Sequence, residues 1–206
     1  MSRLTIQRYF WNPIYDRLAR GYDAVDWLTG FTTQRLRTRA LAYLPHPGTR
    51  LLEIGFGSGM LHAELASRYK MAGIDLAPGM ARLTRQRLDN SGRHSALCVG
   101  SVYAIPWPDA TFDAVLSTFA FSAFADADRA LDEMVRVIVP GGKVIIVDAG
   151  RADDGNLFAA MLARVWELLG DYMRDERPLL AARGLSVQRE EYGPRGCVHV
   201  VVGAAE

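Results

Sequence analysis

Cysteine is nearly missing from this chain of 206 residues; Cys98 and Cys197 are the only two. Two thiols inside apolar runs cannot build a disulfide framework, and both read as buried free cysteines. There is no C-x-x-C, and the four histidines (His46, His62, His94, His199) are scattered without ligand spacing, so no structural metal is expected. No apolar run approaches the roughly 18 residues that a membrane-crossing helix needs. The opening MSRLTIQRYFWNPIY lacks an uninterrupted apolar stretch and a small-residue cleavage site, so it does not read as a signal peptide and a cytoplasmic location is expected. Charge of one sign is not in excess either: the formal net charge is +1, which argues against a dedicated nucleic-acid binder. Only 9 prolines and 19 glycines are present, without period, which excludes collagen-like and linker-like chains. No internal repeat is visible.

What is present suits one globular domain, half apolar and 23% charged. The charge is uneven. Eight arginines and three aspartates fall before residue 51, which leaves the rest slightly acidic. From Arg50 onward, short apolar runs alternate with helical patterns. Strands are expected at Arg50–Ile54, Met71–Ile74, Ala96–Val99, Phe112–Leu116 and Lys143–Val147. Helices are expected over Ser58–Arg68, Ala77–Leu88, Asp126–Val137, Gly155–Tyr172 and Glu176–Arg183. Leu185–Glu191 and Cys197–Val202 read as a closing antiparallel hairpin. Apolar strands separated by helices indicate a parallel sheet covered on both faces. Five βα units and the hairpin give a doubly wound α/β fold with a seven-stranded, mostly parallel, Rossmann-like sheet. Residues 1–45 read as an N-terminal helical cap, with helices about Ile6–Leu28 and Thr32–Tyr43, and residues 46–206 as the body of the same domain.

The strongest local signal is Leu51-Leu52-Glu53-Ile54-Gly55-Phe56-Gly57-Ser58-Gly59, an apolar strand running into a glycine-rich turn that opens a helix. Such a turn lets a ligand approach the main chain at a helix start with unsatisfied N–H groups. Twenty residues after Gly55, at the end of the second strand, Asp75 can accept hydrogen bonds from both hydroxyls of a ribose. The G-x-G-x-x-G dinucleotide fingerprint fails at Met60, where its third glycine would stand. A P-loop is excluded because no Gly-Lys-Ser/Thr follows.

With Glu53 two residues before the first glycine, the E-x-G-x-G-x-G pattern resembles motif I of the class I S-adenosylmethionine-dependent methyltransferases. The resemblance extends to three further blocks. Gly100-Ser101-Val102-Tyr103-Ala104-Ile105-Pro106-Trp107-Pro108-Asp109-Ala110-Thr111-Phe112-Asp113 and Arg136-Val137-Ile138-Val139-Pro140-Gly141-Gly142-Lys143 are similar to blocks of the ubiquinone/menaquinone C-methyltransferase-like branch (methyltransferase type 11). Arg17-Leu18-Ala19-Arg20-Gly21-Tyr22-Asp23 is similar to its N-terminal cap. The resemblance implies S-adenosylmethionine as cofactor. It places Gly55, Gly57 and Gly59 along the methionine and ribose side, with Glu53 beneath. Asp75 would take the ribose hydroxyls, and Leu76 and Met80 would pack on the adenine. Ser117 and Thr118 would lie under the methionine portion, and Tyr22 would close over the cofactor from the cap. Ser101 stands where the family usually has an aspartate facing the adenine amino group. A neutral acceptor there predicts weaker binding, which the Val102 N–H would partly offset.

For the acceptor, the stretch after the fourth strand is Phe119-Ala120-Phe121-Ser122-Ala123-Phe124. These phenylalanines, Phe119 and Phe121 above all, point either to an apolar acceptor or to packing under the cap. Tyr15, Tyr22, Asp126 and Asp148 are the candidates for a base. The tyrosines read equally as cap packing and Asp148 as a turn residue, so no catalytic residue is assigned. His199 reads as structural. The whole reads as a methyltransferase acting by in-line displacement on a small-molecule or lipid-like acceptor. The alternative is a catalytically silent protein that binds S-adenosylmethionine or S-adenosylhomocysteine. The aromatic, basic N-terminus leaves peripheral membrane contact as a lesser reading, and the oligomeric state is not legible.

Overall fold

The computed structural model describes residues 32–150, 153, 155–169, 171–192 and 196–206. The expected first helix of the cap, with Tyr15 and Tyr22, lies outside them. In chain order the elements are α1 (Thr32–Arg37), a 3-10 segment (Thr38–Tyr43), β1 (Arg50–Ile54), α2 (Met60–Leu65), β2 (Lys70–Asp75), α3 (Pro78–Asn90), β3 (Ala96–Val99) and β4 (Phe112–Thr118). A 3-10 turn (Phe121–Ala123), α4 (Ala127–Val137), β5 (Ile138–Ala149), α5 (Leu157–Leu169), α6 (Glu176–Ala181), β6 (Ser186–Tyr192) and β7 (Val198–Ala204) complete it. The strands form one seven-stranded sheet in the order β3-β2-β1-β4-β5-β7-β6. β1 to β5 run parallel, and β7 is antiparallel to both β5 and β6.

The order reverses between β1 and β4, because the chain builds outward from β1 to β3 and then returns to the other side. That switch point is where open α/β sheets leave a crevice for ligands. Both faces are covered, as a parallel sheet requires. On one, α4 presents Ala127, Ala130, Leu131, Met134 and Val137 at helical spacing, all buried, to Leu52, Val115, Val144 and Ile146. On the other, the 3-10 segment sets Ala40 against Leu51, Leu116, Ile145 and Val200. A cap segment thus covers a sheet face as well as standing at the crevice.

Several expectations are corrected. The helix expected over Ser58–Arg68 is confined to Met60–Leu65; Gly59, at φ 76, is its left-handed N-cap, so helical geometry starts two residues later than expected. The single helix expected over Thr32–Tyr43 is α-helical only to Arg37. There are not five βα units: among the described residues no helix joins β3 to β4. Pro106 and Pro108 break that stretch, and Arg136 holds it onto α4 by donating to the carbonyls of Ile105 and Trp107 and to Glu133. β5 begins at Ile138, before the expected start. Its pairing with β4 jumps from Phe112↔Ile138 to Ala114↔Lys143, so Pro140-Gly141-Gly142 is an excursion within the strand. Cys197 is buried, but Cys98, on edge strand β3, is only partly so.

Candidate active site

The crevice at the switch point is a cavity of about 750 Å³. The ends of four strands converge on it. Ile54, Gly55 and Gly57 line it from β1 and the glycine turn. Ile74, Asp75, Leu76, Ala77 and Met80 do so from β2 and the start of α3, Gly100 to Tyr103 from the end of β3, and Thr118 to Ala120 with Ala123 to Ala125 from the end of β4. Arg37 enters from α1.

Three features of the glycine turn follow from backbone chemistry. Gly55, Gly57 and Gly59 all have positive φ, the left-handed region in which side chains are strained. A Cβ on Gly57 would meet nothing within 4 Å, because that face opens on the cavity, whereas one on Gly59 would lie 2.4 Å from Thr84 Oγ1. Gly57 therefore leaves room for a ligand, while Gly59 lets α3 approach the turn. Thr84 closes the arrangement by donating to the Gly57 carbonyl at 3.0 Å.

Among the described residues, Asp75 is the one carboxylate on the cavity wall. Its Oδ2 accepts the Gly57 N–H and its Oδ1 the Ala77 N–H, both at 2.9 Å. Each oxygen keeps a further acceptor position. Burial pushes its pKa up, and the two backbone donors oppose that shift. Met80 is buried on the wall and Leu76 is 56% exposed beside it. Ser101 Oγ accepts the Tyr103 N–H at 3.2 Å, so part of its capacity goes to holding the turn after β3.

Not every residue singled out from the sequence reaches the cavity. Glu53 is buried behind the turn and bonded to His62 Nδ1 at 2.8 Å. His62 Nε2 meets Ser95 Oγ at 2.7 Å, and Ser95 donates its own proton to the Met71 carbonyl, so His62 donates to Ser95. Through His62 the Glu53 carboxylate anchors α2 to β1. Gly59 and Ser117 also stand off the wall, and the buried Ser117 Oγ has no partner. Phe119 is on the wall with φ 53, but Phe121 is fully buried in the core, edge-on to Phe124 with ring centroids 5.7 Å apart. Asp126 caps α4 by accepting the Arg129 N–H.

Asp148 is 2% exposed and off the cavity. It accepts from Ser122 N, Ser122 Oγ and Ala149 N at 2.8, 3.0 and 2.8 Å, and so fixes the 3-10 turn that carries the phenylalanines. Burial, with Glu176 adding, pushes its pKa up to about 6 against the backbone bond from Ser122. His199, its partner across the β5–β7 ladder, is buried 3.0 Å from Glu176.

Sequence reasoning missed Arg37 and Tyr103 on the wall. Arg37 is one of eight arginines in its region and carries no local mark. Tyr103 lies past a strand end in a stretch with no helical or strand period, and its hydroxyl accepts the Asp126 N–H at 3.2 Å.

Comparison with known proteins accords with this geometry. The methyltransferase-domain family pattern matches residues 52–146. A demethylmenaquinone methyltransferase of Thermus thermophilus is 32% identical over 140 residues, 66% of this chain and 64% of its own length. A phosphatidylethanolamine N-methyltransferase of Cereibacter sphaeroides is 31% identical over 162 residues, 75% of this chain and 80% of its own. The solved structure of an S-adenosylmethionine-dependent methyltransferase from Thermotoga maritima superposes with a TM-score of 0.73 over 94% of this chain and 99% of that one, at 21% identity, a likeness of fold. The chain belongs to the class I S-adenosylmethionine-dependent methyltransferases and is similar in sequence to the ubiquinone/menaquinone C-methyltransferases. It spans 64% and 58% of the length of the Thermus and Deinococcus demethylmenaquinone enzymes that it matches. Among the described residues, no helix is long and apolar enough to cross a membrane.

Proposed function

We propose that the chain transfers a methyl group from S-adenosylmethionine to a small-molecule or lipid-like acceptor. The observation that carries this reading is the meeting, in one cavity, of an open Gly57 face, an Asp75 carboxylate with unspent acceptor positions, and an apolar wall at the end of β4. These residues fit an adenosyl ligand. Asp75 takes the ribose hydroxyls, Leu76, Met80 and Val102 enclose the adenine, Ser101 offers it a neutral acceptor, and Gly55 and Gly57 let the rest lie against the backbone.

When bound, the cofactor supplies a methyl on a positively charged sulfur whose departure leaves a neutral thioether. The chain therefore needs no acid for the leaving group, and its task is alignment and exclusion of water. Phe119, Phe124 and the alanines between and after them form a largely apolar surface beside the turn, suited to an acceptor with an apolar body. The Ser122–Asp148 bonds keep that surface in place. Tyr103 is the titratable hydroxyl on the wall and can hold or pass a proton if the acceptor atom needs one removed. The relatives point the same way, since their names specify a quinone precursor, a phospholipid and a malonyl-carrier protein as acceptors.

The test is transfer of labelled methyl from S-adenosylmethionine into a metabolite and lipid extract. A labelled product partitioning into organic solvent is expected. Tight cofactor binding with no labelled product in any fraction would instead establish a silent binder.

A further inference from the structure

We infer that Arg37 anchors the carboxylate at the methionyl end of the cofactor, an inference that rests on the S-adenosylmethionine reading above. Arg37 is the last residue of α1, is 9% exposed, and lines the cavity. Its guanidinium stands over the Phe119 ring, 5.7 Å from the centroid. Among the described residues, its buried Nε has no hydrogen-bond partner and no carboxylate pairs with the guanidinium. A buried guanidinium with an unspent N–H is costly unless an anion meets it.

Position identifies the anion. Among the described residues, the charged ones on the cavity wall are Asp75 and Arg37. Asp75 ends β2, next to the β3 turn and Met80, which is the side suited to ribose and adenine. Arg37 stacks on Phe119, just past β4, on the opposite side of β1. A ligand with its nucleoside against β2 and β3 therefore extends its amino-acid end across Gly55 toward β4. The permanent anion at that end is the α-carboxylate. A planar guanidinium fork matches a carboxylate in two parallel hydrogen bonds, and the Phe119 ring beneath holds the guanidinium at the cavity wall.

The experiment is calorimetric titration of the wild type, Arg37→Gln and Arg37→Lys with two probes. S-adenosylhomocysteine carries the carboxylate, whereas 5′-methylthioadenosine lacks the amino-acid end. The expected result is a roughly ten- to hundredfold loss of S-adenosylhomocysteine affinity in Arg37→Gln, with methylthioadenosine affinity unchanged. Arg37→Lys should fall between, because it restores charge without the fork. The methylthioadenosine titration also serves as the folding control. Unchanged S-adenosylhomocysteine affinity in Arg37→Gln, or equal losses for both probes, would overturn the assignment. A wild type that binds neither probe would overturn the cofactor reading itself, and this inference with it.

Discussion

Asp75 is the last residue of β2 and Asp148 the last but one of β5, at the same end of parallel strands, and burial raises the pKa of both, yet they meet different surroundings. Beside β2 lie a glycine turn and the first turn of α3, which give Asp75 two backbone N–H groups and leave its outer side on the cavity. Beside β5 lie antiparallel β7, the 3-10 turn and α6, which close over Asp148 and spend its oxygens on Ser122 and Ala149. A carboxylate at the end of a strand is thus not by itself a ligand residue. The neighbouring connection decides whether it faces a ligand or orders a loop.

The largest expected effect separates the two by substitution. Asp75→Ala should weaken S-adenosylhomocysteine binding on the order of a hundredfold, the loss of two charge-assisted hydrogen bonds. Asp148→Ala should cost about 2–3 kcal/mol of stability by stranding the buried Ser122 N–H, with a much smaller change in nucleoside affinity. Calorimetry and denaturant unfolding read the two quantities, and matching affinity losses would erase the distinction. The two faces of the glycine turn give the next contrast. Gly59→Ala should destabilise the fold by roughly 2–3 kcal/mol, combining left-handed strain with overlap against Thr84. Gly57→Ala, with open space around it, should cost only about 1 kcal/mol, for the strain alone.

A third effect is pH dependence. The folded-state pKa of Asp148 is raised to about 6, above its unfolded value, so the folded state binds this proton more tightly. Its contribution to stability is therefore greatest below about pH 4 and is lost as pH rises toward and through 6. Asp171, also raised to about 6 by burial, adds to the same slope. Asp148→Asn should flatten the stability curve between pH 4 and 7 without abolishing its slope, as thermal unfolding across that range would show. The smallest effect falls on the cavity: Ser101→Asp should tighten cofactor binding by about threefold to tenfold, by turning a neutral acceptor into a charged one.

The parallel body was legible because period and punctuation agreed. Arg50–Ile54 and Ala96–Val99 fall where their apolar runs predict, and Pro78 and Gly184 sit at a helix start and a left-handed turn as their types require. Boundaries failed where tertiary contact prevailed over local pattern, as at Gly59 and through the Pro140 excursion. Within the site, motif spacing located the glycine turn and Asp75. It could not show that Glu53 is spent on His62, that Phe121 faces the core while Phe119 and Phe124 face the cavity, or that Arg37 is buried while Arg35 and Arg39 are exposed. Which arginine turns inward and which way a loop folds back are announced by no residue type in advance.

The central claim is that this crevice receives an adenosyl amino-acid cofactor and not a dinucleotide. Calorimetric titration of the purified protein with S-adenosylhomocysteine, with NAD as the comparison, tests it most directly. The account predicts saturable one-to-one binding of S-adenosylhomocysteine that Asp75→Ala weakens, with no heat from NAD; saturable NAD binding with none of S-adenosylhomocysteine would contradict it.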